Sequence, residues 1–159
     1  MVRPAASDWP MAQKRHAYRC GINVVGVANW PRSIENWPPF WRNRHMLVRF
    51  YGDPAVPAQR AEMLRNSPVS YLDQISAPLL VVHGANDIRV LRQDSDDVVA
   101  SLRQRGHPVE YLLFPDEGHS ISKWRNRLAL WRKVEDTLAT CLGGRSAGFD
   151  FYELMPRGQ

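Results

Sequence analysis

Short unbroken apolar runs alternate along this chain with stretches that repeat at helical period. Residues 20–28 (Cys-Gly-Ile-Asn-Val-Val-Gly-Val-Ala) are apolar and rich in β-branched side chains, which predicts a buried strand. After Pro78, Leu79-Leu80-Val81-Val82 predicts a second strand and residues 109–114 a third. Between these two, residues 94–105 place Val98, Val99 and Leu102 on one helical face, and Gly106 ends the pattern. Residues 123–142 carry Trp124, Leu128, Trp131, Val134, Leu138 and Leu142 at steps of three and four with Gly143 as the stop, so a final helix is expected to bury that face and close the domain.

The remaining stretches are less regular. From residue 29 to 74, Trp30, Trp37, Phe40 and Trp41 stand among prolines, helical patterns follow around 40–51 and 57–66, and Ser67-Pro68 breaks them, which describes a helical excursion between strands. Residues 1–18 have no sustained period of either kind.

Unbroken apolar strands, as opposed to alternating ones, are what a parallel sheet covered on both faces requires, and strand–helix–strand order implies right-handed crossovers. The expected class is therefore doubly wound α/β, a mostly parallel sheet with flanking helices. A length of 159 residues suits one domain, and 44% hydrophobic with 23% charged residues is globular composition, excluding disorder. The expected division is an atypical segment at 1–19, the α/β unit at 20–145 and a tail at 146–159.

Charge and cysteine content remove some function classes. A net charge of +5 invites an anionic partner, but the arginines are scattered along the chain, so a solvated basic surface is expected and nucleic acid is not. Nothing approaches the roughly 18 apolar residues of a membrane span, and the N-terminus lacks a signal peptide's apolar core; no membrane association is expected, and the cytoplasm is favoured. Cys20 and Cys141 are too few for a disulfide framework and too distant in sequence for a zinc pair, and read as small buried hydrophobes. The histidines show no ligand spacing and no Gly-rich nucleotide loop follows a strand, so no metal or cofactor is expected.

In a parallel α/β sheet the functional loops gather beyond the carboxyl ends of the strands. Two such loops stand out: residues 83–90 (His-Gly-Ala-Asn-Asp-Ile-Arg-Val) after the second strand and residues 115–119 (Pro-Asp-Glu-Gly-His) after the third. Asp87 and His119 lie 32 positions apart, the length of one crossover unit, so both should stand on one rim of neighbouring strands. A carboxylate holding one imidazole nitrogen fixes the tautomer and lets the other nitrogen take a proton from a nucleophile. The plainer reading is a helix cap beside a Gly-His turn.

The wording of these loops carries more. Residues 81–90, Ser95, residues 109–119 and Asn126-Arg127-Leu128, with Gly52-Asp53-Pro54, Ser67-Pro68, Ala77-Pro78-Leu79-Leu80 and Val24-Val25-Gly26 upstream, resemble the C-terminal half of the prolyl oligopeptidase family, on its acylaminoacyl-peptidase-like side, over roughly residues 20 to 145. The resemblance implies the C-terminal half of an α/β-hydrolase, with Asp87 and His119 as triad carboxylate and base. It further implies that Arg89 and Val90 meet the substrate, and that the segment carrying Trp30, Trp37, Phe40 and Trp41 completes the pocket, although aromatics among prolines also pack a helical excursion. The sequence departs from the family at Leu91, where proline is common, and at Ser120, where glycine is common.

The nucleophile of such enzymes sits on a Gly-x-Ser-x-Gly elbow between strand and helix, ahead of the Asp and the His. No such elbow precedes Asp87. The one literal match, Gly144-Arg145-Ser146-Ala147-Gly148, follows the last helix and stands in the wrong order. The expectation is a serine-type peptidase catalytic domain, cleaving peptide bonds through an acyl-enzyme, that is truncated and inactive alone. A truncated sheet exposes an edge, so the expected partners are a peptide substrate and either a missing N-terminal half or a second copy. The alternatives are a noncatalytic peptide-binding or assembly module, or an esterase of the same fold.

Overall fold

A computed structural model of the chain describes residues 18–37, 41 and 44–146. Most of the expected 1–19 and 146–159 segments, and Phe40, lie outside the described residues. The elements run β1 (Gly21–Val24), α1 (Trp30–Asn36), α2 (Arg44–Tyr51), α3 (Pro57–Arg65), a 3₁₀ segment (Pro68–Gln74), β2 (Leu79–Gly84), α4 (Arg92–Gln104), β3 (Val109–Phe114) and α5 (Trp124–Leu142). The three strands form a parallel sheet in the order β1-β2-β3, with Gly21 opposite Leu79 and Leu79 opposite Val109.

Helices cover both faces because successive side chains of β2 point to opposite sides. Leu79 and Val81 pack with Val98, Val99 and Leu102 of α4 and with Leu72 and Ile75. Leu80 and Val82 pack with Phe114 and with Leu130 of α5. Every residue of β2 is buried, which is why that strand reads as a continuous apolar run. The doubly wound α/β expectation therefore describes the core. Gly106 ends α4 in the left-handed region at φ +65°, where its N–H donates to the Arg103 carbonyl and the His107 N–H to the Leu102 carbonyl, the paired bonds of a Schellman stop.

Three expectations are corrected. The first strand is shorter than residues 20–28, because Val25 turns out of line at φ +47° and the Asn23 side chain accepts from the Gly26 N–H at 2.9 Å, closing a turn at the strand's carboxyl end. The cysteines are half-buried and joined in a disulfide, Cys20–Cys141, with Cα atoms 6.1 Å apart; it ties the start of β1 to the end of α5 across 121 positions that no local pattern connects. The third correction concerns α5. Its inward line runs through Leu130 and Val134, whereas Trp124, Trp131 (62% exposed), Leu138 and Leu142 (60%) face outward, roughly 80° round the helix. The three strands among the described residues offer too narrow a face to cover both lines.

Among the described residues the tryptophan segment is anchored by one buried carboxylate that sequence reading passed over. Asp94, 1% exposed in the first turn of α4, accepts from the Ala28 and Asn29 N–H groups at 2.8 and 3.0 Å and from Arg32 at 3.2 Å. Burial pushes its pKa above the ordinary 3.8, against the pull of those two N–H groups and the guanidinium. Asn29 caps α1 by accepting from the Arg32 N–H, and Pro31 sits in its first turn. Asp94→Ala strands two N–H donors, while Arg32 keeps its 2.6 Å pairing with Asp97, and should lower stability by about 2 kcal/mol in a urea titration.

Candidate active site

The carboxyl ends of β2 and β3 are zipped together before any side chain is considered. The Ala85 N–H donates to the Phe114 carbonyl at 2.8 Å and the Asn86 N–H to the Glu117 carbonyl at 2.9 Å, while the Asn86 side-chain amide donates to the Pro115 carbonyl at 3.0 Å. Gly84 makes this approach possible: a Cβ there would lie 2.1 Å from the Gly118 carbonyl oxygen.

On this rim the His119 imidazole reaches Asp87. Nδ1 lies 2.8 Å from Asp87 Oδ2, and since a carboxylate oxygen only accepts, Nδ1 carries the hydrogen. The other oxygen, Oδ1, accepts from the Arg89 and Val90 N–H groups at 2.8 and 3.0 Å. The Asp87 side chain is fully buried and that of His119 keeps 32% exposure. No hydrogen bond engages Nε2 among the described residues. A ring held at Nδ1 and open at Nε2 is suited to accept a proton there and return it.

Behind Asp87 lies His83, fully buried on β2. Its Nε2 is 3.0 Å from the Val90 carbonyl and 3.5 Å from Asp87 Oδ2, and its Nδ1 is 2.8 Å from Ser95 Oγ. The tautomer with hydrogen on Nε2 satisfies all of these, donating toward the carbonyl and accepting from the hydroxyl. Asp87 is thus closed in by the 87–90 turn on one side and by β2 beneath.

Of the expected pocket residues, the structure brings some to this rim. The Trp37 indole N–H donates to the Arg89 carbonyl at 3.1 Å, which sets that ring beside the Asp87 turn, and Trp41 packs edge-on against Trp37 with centroids 4.8 Å apart. Arg89 is exposed, whereas Val90 is buried at the base of the turn. Trp30 stacks on Tyr51 at 4.5 Å, one face covered by α2, and belongs to the packing of the excursion. Leu91 has φ −63°, the angle proline would impose, so that departure leaves the backbone unchanged here. The Ser146 hydroxyl donates to Asp136 at 2.5 Å, beyond the end of α5.

Glu117 was read only as part of a turn. It is 3% exposed. Oε1 accepts from the Lys123 N–H at 2.8 Å and the Asn126 amide at 2.9 Å, and Oε2 accepts from the Ser122 N–H and hydroxyl, each at 3.2 Å. Burial alone would raise its pKa, but these donors, Asn126 foremost, outweigh it and hold the carboxyl below the ordinary 4.5.

Comparison with known proteins gives one family. The profile of the prolyl oligopeptidase family matches residues 6–145. A dipeptidyl aminopeptidase BIII of Pseudoxanthomonas mexicana is 39% identical over 138 residues, covering 85% of this chain and 20% of the relative. Dipeptidyl peptidase family member 6 of Caenorhabditis elegans is 35% identical over 134 residues, covering 83% and 18%. Among solved structures, an acylaminoacyl peptidase of Pyrococcus horikoshii superposes with a TM-score of 0.71 at 22% identity, over 92% of this chain and 23% of that one. The chain spans about a fifth of the length of these relatives, and the structural likeness establishes the α/β-hydrolase fold.

Proposed function

The chain belongs to the prolyl oligopeptidase family, and from that premise we propose that it forms the Asp- and His-bearing part of a serine peptidase catalytic domain, with His119 as general base and Asp87 as its orienting carboxylate. The observation that carries this reading is the 2.8 Å contact between His119 Nδ1 and Asp87 Oδ2 on the rim of adjacent parallel strands. No Gly-x-Ser-x-Gly precedes Asp87, so the nucleophile comes from a polypeptide outside these 159 residues. The sheet offers a place for it, since among the described residues β1 pairs only with β2 and its outer edge is open.

His119 Nε2 takes the serine proton as Oγ bonds to the scissile carbonyl carbon, and then delivers that proton to the leaving amine as the C–N bond breaks. The acyl-serine ester that remains is hydrolysed when Nε2 deprotonates a water, and the carboxylic acid leaves with Nε2 returning its proton to Oγ. Asp87 keeps Nδ1 protonated and compensates the imidazolium in both halves. The names of the relatives suggest substrates cleaved near a peptide's N-terminus, as dipeptides or acyl-amino acids. Exposed Arg89 and the Trp37–Trp41 pair beside the Asp87 turn are suited to hold the backbone and an apolar side chain of such a peptide.

The test joins this chain to a serine-bearing N-terminal half from a relative and assays dipeptidyl and acyl-amino-acid reporter amides, with a fluorophosphonate probe to label the serine. The joined protein should label and turn over, and the 159-residue chain alone should do neither. Labelling of the isolated chain, or a joined protein whose turnover survives His119→Ala, would overturn the reading. A joined protein that fails to turn over, while peptides quench the Trp37 and Trp41 fluorescence of the isolated chain in a saturable way, would indicate a binding module instead.

A further inference from the structure

His119 sits in the middle of a short loop that leaves β3 at Phe114 and enters α5 at Trp124, and among the described residues the ring itself is anchored only at Nδ1. A third-exposed side chain on such a loop would sample many positions unless the loop is closed on itself. The closure is made by one carboxylate. Glu117 has its backbone fixed by the Asn86 N–H, which donates to its carbonyl at 2.9 Å, while its side chain reaches forward to Ser122, Lys123 and Asn126. Residues 118–121, His119 among them, are thereby clasped between the β2 rim and the start of α5.

The chemistry of the clasp suits a carboxylate and little else. All the partners of Oε1 and Oε2 in it are donors: two backbone N–H groups, a hydroxyl and an amide. Lys123, the N-terminal flanking residue of α5, makes no side-chain cap of its own, and the Glu117 carboxylate accepts from its N–H, which puts the negative charge at the end of the helix where the dipole favours an anion.

We propose that Glu117 is a positioning residue for the general base, holding the loop so that His119 Nδ1 meets Asp87. The inference rests on the reading of His119 as base. Glu117→Gln is close in shape but turns an amide NH₂ toward N–H donors, so one end of the clasp opens whichever way the amide faces. The loop then loosens around His119 while β2 and β3 keep their ladder.

The experiment is an NMR measurement on the 159-residue chain, following solvent exchange of the His119 Nδ1–H together with the amide protons of β2 and β3. The wild-type Nδ1–H should be protected, and Glu117→Gln should speed its exchange at least tenfold while leaving the strand amides unchanged. Adding Lys123→Ser supplies α5 with a cap of its own but not the clasp, so the double variant should recover thermal stability without recovering Nδ1–H protection. If the double variant restores protection, Glu117 is only a helix cap and the proposal is wrong. Should Glu117→Gln fail to fold, Asn126→Ala removes one of the four donors and should speed exchange about threefold; unchanged exchange there counts equally against it. An unprotected Nδ1–H in the wild type would instead remove the Asp87–His119 pair itself, a failure of the underlying reading.

Discussion

Asp87→Asn should lower the turnover of the serine-joined protein about 10⁴-fold while leaving the fold intact, the scale seen when a triad carboxylate is replaced by its amide. The direction follows from which oxygen meets which donor. Oδ1 accepts from the Arg89 and Val90 N–H groups, so an asparagine places its oxygen there and its NH₂ where Oδ2 now meets His119. That NH₂ donates to Nδ1, which must then accept, and the ring hydrogen moves to Nε2. The nitrogen needed as base is already occupied. In the isolated chain, nitrogen-15 spectra of the His119 ring should show the protonated position switching from Nδ1 to Nε2. An unswitched ring with full turnover would mean that Asp87 does not orient the base.

How much of this could be read from the sequence depends on the range of the physics involved. Strands β2 and β3, helix α4 and the Asp87–His119 pair were legible because each follows from local pattern or from crossover length: apolar runs, one helical face ended by Gly106, and two loops one unit apart. The outward line of α5 was misread because Trp124, Trp131 and Leu138 repeat at helical spacing as well as Leu130 and Val134 do, and only the width of the sheet decides which line is covered. The Cys20–Cys141 bridge joins residues 121 positions apart, and spacing cannot pair them.

The supporting carboxylates were illegible for another reason. Asp94 and Glu117 stand in stretches that look like a polar helix start and a polar turn, where acidic residues are ordinarily solvated. Their burial comes from donors brought in from elsewhere, Ala28 and Asn29 in one case and the start of α5 in the other. Asp in the first turn of α4 was a usable hint, since the helix dipole favours it there. For Glu117 the only hint was its distance, six residues ahead of Lys123.

Gly84→Ala tests whether the rim is set by backbone contact. Gly84 has an ordinary negative φ, so alanine there relieves unfolded-chain entropy and, with free space around it, would stabilise by about 0.4–1 kcal/mol. The space is not free. The new methyl would stand 2.1 Å from the Gly118 carbonyl oxygen and 2.7 Å from the Glu117 carbonyl carbon and oxygen, all backbone atoms that no rotamer can move aside. The loops must part by roughly 1 Å or more, and the overpacking should cost about 3 kcal/mol in a urea titration. The first bonds to go are those that cross the gap: Asn86 N–H to the Glu117 carbonyl, and, because Asp87 and His119 lie three and one residues beyond the colliding pair, His119 Nδ1 to Asp87. The sign of the stability change is therefore decisive, since a stabilised Gly84→Ala would mean that the two loops do not touch, and a base on one loop could then not be held by a carboxylate on the other.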